Sequence, residues 1–281
     1  MQYDFLVTCE DGTKISATHF GYDHSPLVII SSAVGTDRGY YSRFSNYLVE
    51  NNFQVVTFDY RGTGKSKTPK MSTSTCLSNW GEQDLTAVID WASMQAAKNN
   101  IVLVGHSIAG QIFPLAKNKG LVSAAYFVAS QTASSRYWSG THKLFIELFW
   151  NLMLPATTTL TGSLPAWTYG GKQSLPKYVA KEWAQWGRHK NGVLQDCQVR
   201  EKFFGEIQIP LRFISFADDR FLAPKAAVER LIEQYGSSQK EHYHWYPDEF
   251  GKKSIGHFGF FRSSNSDLWE DVTLWLKRYS R

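Results

Sequence analysis

The sequence has only three cysteines, Cys9, Cys76 and Cys197, and they are odd in number and widely scattered. This distribution argues against a disulfide framework or a cysteine metal site, and it predicts reduced thiols in a cytoplasmic protein. The net charge of +5 includes no basic block, so charge gives no indication of nucleic-acid binding. The N-terminus carries an early acid, Asp4, and runs directly into a strand pattern, so no secretory signal is expected.

Long apolar runs are also absent. The most apolar stretch, 144–154, is interrupted by Glu147 and is too short to cross a bilayer, so no membrane span is expected. Docking of this stretch on a membrane surface is disfavoured because Lys and Arg are sparse beside it.

The chain is rich in aromatic residues, which make up 15% of the total, against 20% charged residues. This composition predicts a globular protein with a substantial core.

Strand patterns alternate with amphipathic helical patterns along most of the chain. Two short strand patterns flank Glu10-Asp11-Gly12 and predict an N-terminal β-hairpin. Further strands are predicted at 27–30, 54–58, 101–104, 124–129, 211–216 and 242–246, and helices at 41–48, 84–91, 108–117, 224–234 and 267–277. The alternation predicts an α/β fold with a mostly parallel central sheet, flanking helices and right-handed crossovers.

Between residues 135 and 201 the alternation stops. This segment holds half of the ten tryptophans, namely Trp138, Trp150, Trp167, Trp183 and Trp186, together with Pro155, Pro165 and Pro176. We interpret it as a helical cap over the carboxyl edge of the sheet, where ligands bind in open α/β folds. The predicted organisation is a core in two parts, 1–134 and 202–281, separated by a cap insertion at 135–201. The aromatic side chains of the cap are expected both to pack its own core and to line a pocket.

Ser107 stands on a predicted turn between a strand and a helix, in the sequence GHSIAG at 105–110. A serine on such a turn presents its hydroxyl at the edge of the sheet, beside backbone N–H groups that can stabilise an oxyanion. Ala109 replaces the second glycine of the strict G-x-S-x-G pattern, but alanine is small enough for close packing. Helix capping is the alternative role of such a serine.

Candidates for an acid and a base follow in the order that a Ser-Asp-His triad requires. Asp218 and Asp219 come directly after a predicted strand, and His257 lies in a glycine-flanked loop before the last helix. Asp219 sits on the turn that leaves the strand and is favoured as the acid, with Asp218 as the alternative. His106 is expected to pack beneath the serine.

Two other motifs favour structural interpretations. The segment 59–66 ends in Gly-Lys-Ser but has Asp59 where a phosphate-binding loop needs glycine, so nucleotide binding is disfavoured and Asp59 and Arg61 are expected to hold this loop in place. His242 and His244 share a strand face, but nearby ligands are lacking, which favours surface histidines over a metal site. No cofactor and no metal are therefore expected.

Along its whole length the chain resembles α/β-hydrolases, and within them a group of bacterial predicted hydrolases. The resemblance rests on SSAVG (31–35), DYRGTGKS (59–66), the serine motif, ADDR (217–220) and IGHFGFF (255–261). It implies a serine hydrolase with Ser107, Asp219 and His257 as the triad. It also implies an oxyanion hole formed by the N–H groups of Ile108 and Val34, with Ala33 as the alternative to Val34.

The function predicted on this basis is hydrolysis of a carboxylic ester with an apolar part, because the cap is rich in aromatic residues, and the partner is a small-molecule substrate. Acyl transfer to an alcohol or thiol remains an alternative. A peptidase is another, with Glu147 or Glu182 holding an amino group. A non-catalytic binding protein with the same fold is disfavoured by the presence of the serine, acid and histidine together.

Overall fold

A computed structural model describes residues 1–22, 25–68, 74–96, 101–194 and 203–280. Cys197 and the last part of the predicted cap, 195–201, lie outside the described residues. Of the other cysteines, Cys9 is buried and Cys76 half-buried, and both are free thiols. Burial raises the pKa of Cys9 to about 12, so its thiol is unreactive at neutral pH.

The described residues form an eight-stranded sheet in the order β1-β2-β4-β3-β5-β6-β9-β10. Its strands are β1 (Gln2–Thr8), β2 (Lys14–Phe20), β3 (Leu27–Ser31), β4 (Gln54–Phe58), β5 (Ile101–His106), β6 (Ala124–Val128), β9 (Leu211–Phe216) and β10 (Lys240–Trp245). The pairs β1–β2 and β2–β4 are antiparallel, and the other pairs are parallel. The mostly parallel sheet and the N-terminal hairpin are therefore confirmed.

Helices cover the sheet and fill the segment between β6 and β9. The α-helices are α1 (Ser42–Glu50), α2 (Thr86–Gln95), α3 (Ala109–Ile112), α4 (Gly140–Leu148), α5 (Leu154–Thr161), α6 (Lys177–Arg188), α7 (Lys225–Gln234), α8 (Gly256–Gly259) and α9 (Trp269–Tyr279). Two π-helical segments, Trp80–Leu85 and Phe149–Met153, lead into α2 and α5. The short strands β7 (Ser163–Leu164) and β8 (Leu175–Pro176) form a separate antiparallel pair.

The helix after the serine motif is shorter than the sequence pattern predicts. A helix over 108–117 was expected, but α3 ends at Ile112 and continues as a single 3₁₀ turn, Phe113–Leu115. Pro114 explains the difference, because proline has no N–H to donate to the helix and its ring clashes with the preceding turn.

The central strands are buried along their whole length, which explains their uninterrupted apolar sequences. Because β3, β5, β6 and β9 are parallel, their carboxyl ends meet at one edge of the sheet. The segments that leave β3, β5 and β9 carry all of the predicted oxyanion and nucleophile residues and the predicted acids. The sheet therefore brings residues far apart in sequence to one place.

The loop after β4 has the structural role expected of it. The Asp59 carboxylate accepts hydrogen bonds from the backbone N–H groups of Arg38 (2.8 Å) and Lys65 (3.0 Å). The Arg61 side chain pairs with Asp84 and with Asp11, each at 2.6 Å. These contacts fix the glycine-containing loop against the core.

No helix in the described part of the chain is long and apolar enough to cross a membrane.

Candidate functional site

Ser107 lies directly after β5 in a left-handed backbone conformation, with φ of 56°. Non-glycine residues rarely adopt this conformation, and such strain is concentrated at functional sites. Its N–H donates to the Val128 carbonyl at 2.9 Å, which fixes the turn against β6. A Cβ added to Gly105 would lie 2.9 Å from that of Ala109, so the absence of a side chain at 105 is what accommodates alanine at 109.

His257 is paired with Asp219, the acid that the sequence favoured. Nδ1 of the imidazole lies 2.6 Å from Oδ2 of the carboxylate, and both side chains are buried. The other carboxylate oxygen accepts the N–H groups of Leu222 (3.3 Å) and Ala223 (3.2 Å). Because a carboxylate only accepts, Nδ1 carries the proton of this hydrogen bond, and a ring protonated only there has its lone pair on Nε2.

Asp218 faces the backbone at the start of α8, the short helix that carries His257 where a loop was predicted, and not the imidazole. Its carboxylate accepts hydrogen bonds from the Ser254 hydroxyl (2.7 Å), the Ile255 N–H (2.8 Å) and the Gly256 N–H (3.0 Å). Burial raises the pKa of Asp218, but these hydrogen bonds outweigh it and bring the pKa below its usual value. The two adjacent acids thus contact the same loop in different ways.

The backbone N–H groups near Ser107 differ in whether they already donate a hydrogen bond within the protein. The N–H of Ala33 donates to the Tyr41 hydroxyl at 2.9 Å. The N–H groups of Val34 and Ile108 have no acceptor among the described residues. Val34 also lines the cavity beside Ser107. Ala33 also lines this cavity, so the two residues differ in that the N–H of Ala33 is already hydrogen-bonded to Tyr41.

His106, next to Ser107, is completely buried and hydrogen-bonded at both ring nitrogens. Nδ1 lies 2.9 Å from the Tyr41 hydroxyl, and Nε2 lies 2.9 Å from the carbonyl oxygen of His257. Burial, and then the neighbouring His257, lower the pKa of His106 well below its usual value, so the ring is neutral. Sequence reasoning placed His106 beneath the serine but gave Tyr41 only as the first residue of a predicted helix, and no motif signals its contact with the site.

Ser107 and His257 open into one cavity of about 480 Å³. Most of its walls are aromatic and aliphatic side chains, including Trp138, Phe145, Ile146, Phe149, Trp150, Met153 and Trp183. Three of the five tryptophans expected in the cap therefore line the cavity. Trp186 is buried in the core, and Trp167 is 76% exposed. No carboxylate is present among the described residues that line the cavity.

The remaining polar candidates are not among the residues that line this cavity. The Glu182 carboxylate accepts the backbone N–H of Ser78 at 2.8 Å, and Glu147 lies 3.9 Å from Lys143. His242 and His244, which were expected at the surface, are half-buried on β10. Both contact the Ser215 hydroxyl, at 2.8 and 2.7 Å. Within the described ranges, no group of three or more His, Cys, Asp or Glu side chains could hold a metal ion.

Comparison with protein families identifies the family of this chain. The model of the family described as serine aminopeptidase, S33, an α/β-hydrolase family, matches residues 23–250, most of the chain. The chain belongs to this family of hydrolases. The match includes the segment with Ser107 and both acids and ends before His257. The resemblance to α/β-hydrolases inferred from the sequence is thereby confirmed.

Individual relatives are more distant. The 3-oxoadipate enol-lactonase 1 of Acinetobacter baylyi is 28% identical over 149 residues, which cover 53% of this chain. The match spans only about half of that relative, 50% of its length.

Solved structures share the fold of this S33 hydrolase over nearly its whole length. A soluble variant of monoglyceride lipase from Saccharomyces cerevisiae has a TM-score of 0.68 at 15% identity, covering 98% of this chain and 96% of that one. An esterase from Exiguobacterium antarcticum has a TM-score of 0.65 at 18% identity, covering 97% and 98%. At these identities the likeness establishes the α/β-hydrolase fold.

Proposed function

We propose that this protein is a serine hydrolase that cleaves carboxylic esters with an apolar acyl or alcohol part. The observation that carries the proposal is the strained Ser107 in the same cavity as the imidazole of His257, whose Nδ1 is bonded to Asp219 at 2.6 Å. A nucleophile, a base with a free lone pair and an acid that orients it are the groups that acyl transfer requires.

The reaction proceeds through an acyl-enzyme. Nε2 of His257 takes the Ser107 proton while Oγ bonds to the ester carbonyl carbon, and the N–H groups of Ile108 and Val34 stabilise the oxyanion. The tetrahedral intermediate collapses as the bond to the alcohol oxygen breaks, and the imidazolium protonates that oxygen. Water then attacks the acyl carbon as His257 takes its proton. The bond from this carbon to Oγ breaks, and the imidazolium returns the proton to Oγ, which releases the carboxylic acid and restores the serine. Asp219 stabilises the imidazolium in both steps.

The walls of the cavity favour an ester over a peptide with a free amino group. An amino-terminal ammonium buried in an apolar cavity needs an opposite charge, because burying an unpaired charge is costly. The described lining contains no Asp or Glu, and the two acids proposed for that role contact Ser78 and Lys143 instead. An uncharged ester with an apolar chain meets the aromatic walls without this cost. The S33 family name therefore does not decide the substrate class.

The test is reaction with a fluorophosphonate probe followed by hydrolysis of p-nitrophenyl esters. We expect stoichiometric labelling of the wild type at Ser107 and loss of both labelling and turnover in Ser107→Ala, by at least about a thousandfold. Ser130→Ala is the matched control, because Ser130 is a buried serine near the same sheet edge that does not line the cavity. Turnover of Ser107→Ala equal to the wild type would rule out the serine mechanism.

Acyl transfer is separated from hydrolysis in the same assay. An added alcohol competes with water for the acyl-enzyme, so the ratio of new ester to free acid measures the partition. We expect free acid to dominate. Predominant formation of the new ester at low alcohol concentration would identify an acyltransferase, and a wild type that neither labels nor turns over would indicate a binding protein.

A further inference from the structure

We propose that Tyr41 and His106 form a hydrogen-bonded relay that positions the three loops of the proposed catalytic site relative to one another. The relay runs from the Ala33 N–H to the Tyr41 hydroxyl, then to Nδ1 of His106, and from Nε2 of His106 to the carbonyl of His257. Each of the three contacts measures 2.9 Å. The inference rests on the proposed function for the roles of the loops that it connects.

The two end groups of the relay determine the direction of every hydrogen bond in it, because the His257 carbonyl only accepts and the Ala33 N–H only donates. A carbonyl oxygen only accepts, so Nε2 of His106 must carry the proton that it donates to His257. Because burial keeps the ring neutral, Nδ1 has a lone pair and accepts the hydroxyl proton of Tyr41. Burial raises the pKa of Tyr41 well above its usual value, so the hydroxyl stays protonated while its oxygen accepts the Ala33 N–H. One tautomer satisfies all the groups.

The two side chains are well placed to act as a rigid connection. Both are fully buried, and the Tyr41 ring packs edge-on against Phe261 at a centroid distance of 4.9 Å. Leaving a buried polar group without a partner is costly, so the relay disfavours movement of any single loop. Tyr41 ends a 3₁₀ turn that leads directly into α1, so its backbone is held at the start of that helix.

Each contact fixes one part of the reaction centre. Occupation of the Ala33 N–H sets the turn so that the next N–H, that of Val34, remains available. His106 is adjacent in sequence to Ser107 and continues β5 into the strained turn. The bond to the His257 carbonyl holds that residue by its backbone, while Asp219 holds it by its ring. The relay therefore controls the distance between the nucleophile, the base and the oxyanion donor.

The first test compares two buried tyrosines. Tyr41→Phe removes only the hydroxyl, and we expect kcat for a p-nitrophenyl ester to fall about 10- to 100-fold with little change in KM, because small displacements of reacting groups are costly. Tyr126→Phe is the control: Tyr126 is equally buried and donates to Asp271 at 2.7 Å, remote from the site. It should lose thermal stability but keep its kcat. A Tyr41→Phe kcat within about twofold of that of Tyr126→Phe would overturn the proposal.

The second test asks whether the groups act as one unit. His106→Leu should lower kcat at least as much as Tyr41→Phe, and the double variant should lose no more than His106→Leu alone, since coupled residues are not additive. His106→Gln, which retains an N–H directed at the His257 carbonyl, should recover part of the activity. Additive losses, or equal activity of the Gln and Leu variants, would contradict a relay.

The third test does not depend on activity, so it separates failure of the relay from failure of the proposed function. ¹⁵N resonances of the histidine rings in the wild type should show His106 as the neutral tautomer protonated at Nε2 from about pH 8 to pH 5. Tyr41→Phe should shift the unprotonated Nδ1 resonance, since that nitrogen loses its donor. A protonated Nδ1 or a cationic ring near pH 6 would refute the relay even in an active enzyme.

Discussion

The aromatic walls of the cavity make the length of the acyl chain a direct test of substrate class. Each methylene that moves from water into an apolar site contributes up to about 0.8 kcal/mol. Between an acetyl and a hexanoyl ester, four methylenes could contribute about 3 kcal/mol if all of them are buried in the transition state. Partial burial of two to four methylenes corresponds to a rise in kcat/KM of roughly one to two orders of magnitude.

The structure identifies where this binding can be blocked. Met153 lines the cavity and is 37% exposed, so a larger side chain there fits at the mouth without displacing the core. We expect Met153→Trp to remove most of the gain from chain length while leaving the acetyl ester little affected. Leu152 is its neighbour, 60% exposed and not part of the lining. Leu152→Trp is therefore the matched control and should behave as the wild type.

The assay is kcat/KM for p-nitrophenyl acetate, butyrate and hexanoate with each of the three proteins. A steady decrease in kcat/KM from acetate to hexanoate in the wild type would show that the aromatic walls do not bind an acyl chain. Equal chain-length profiles for Met153→Trp and Leu152→Trp would show that the chain binds elsewhere. Either result would contradict the reasoning from the cavity.

The remaining predictions concern the acids, the buried histidine and the packing of the serine turn. Asp219→Asn should lower kcat by about three to four orders of magnitude, because it alters the imidazole tautomer. Asp218→Asn only loosens the histidine segment and should lower kcat far less. A larger loss of kcat in Asp218→Asn would show that Asp218 is the triad acid. His106 has a lowered pKa when folded, so the unfolded chain binds the proton at higher pH. Its contribution to the free energy of unfolding is therefore lost below about pH 6.5, by up to about 1.4 kcal/mol per pH unit. The free energy of unfolding in urea should change less between pH 7 and pH 5 in His106→Gln than in the wild type. An equal change in the two proteins would refute this prediction. Gly105→Ala should destabilise by about 1–3 kcal/mol in thermal unfolding, because its Cβ would lie 2.6 Å from a phenylalanine ring of β6. Gly120→Ala, with open space around it, is the control and should be nearly neutral.

Local sequence patterns determined the strands, the order of the elements and the triad candidates. The continuous apolar run before Ser107 could only be a buried element, and the alternation with helical patterns required parallel strands. Parallel strands place their carboxyl ends together, so the order serine, acid, histidine was sufficient to predict which segments meet. The helix predicted over 108–117 was too long, because the helical pattern did not take Pro114 into account.

The contacts that distinguish neighbouring groups are visible only in the tertiary structure. Asp218 and Asp219 are adjacent and have the same chemistry. They differ in their partners, each 38 residues away in sequence: the Asp218 carboxylate accepts the backbone N–H of Gly256, and the Asp219 carboxylate contacts the imidazole of His257. Ala33 and Val34 likewise differ in their contacts, because the Tyr41 hydroxyl accepts the N–H of Ala33. Sequence periodicity reports which face of an element is buried, because burial follows a short local repeat. Hydrogen bonds between distant segments depend on packing to within a few tenths of an ångström, and no local repeat encodes that.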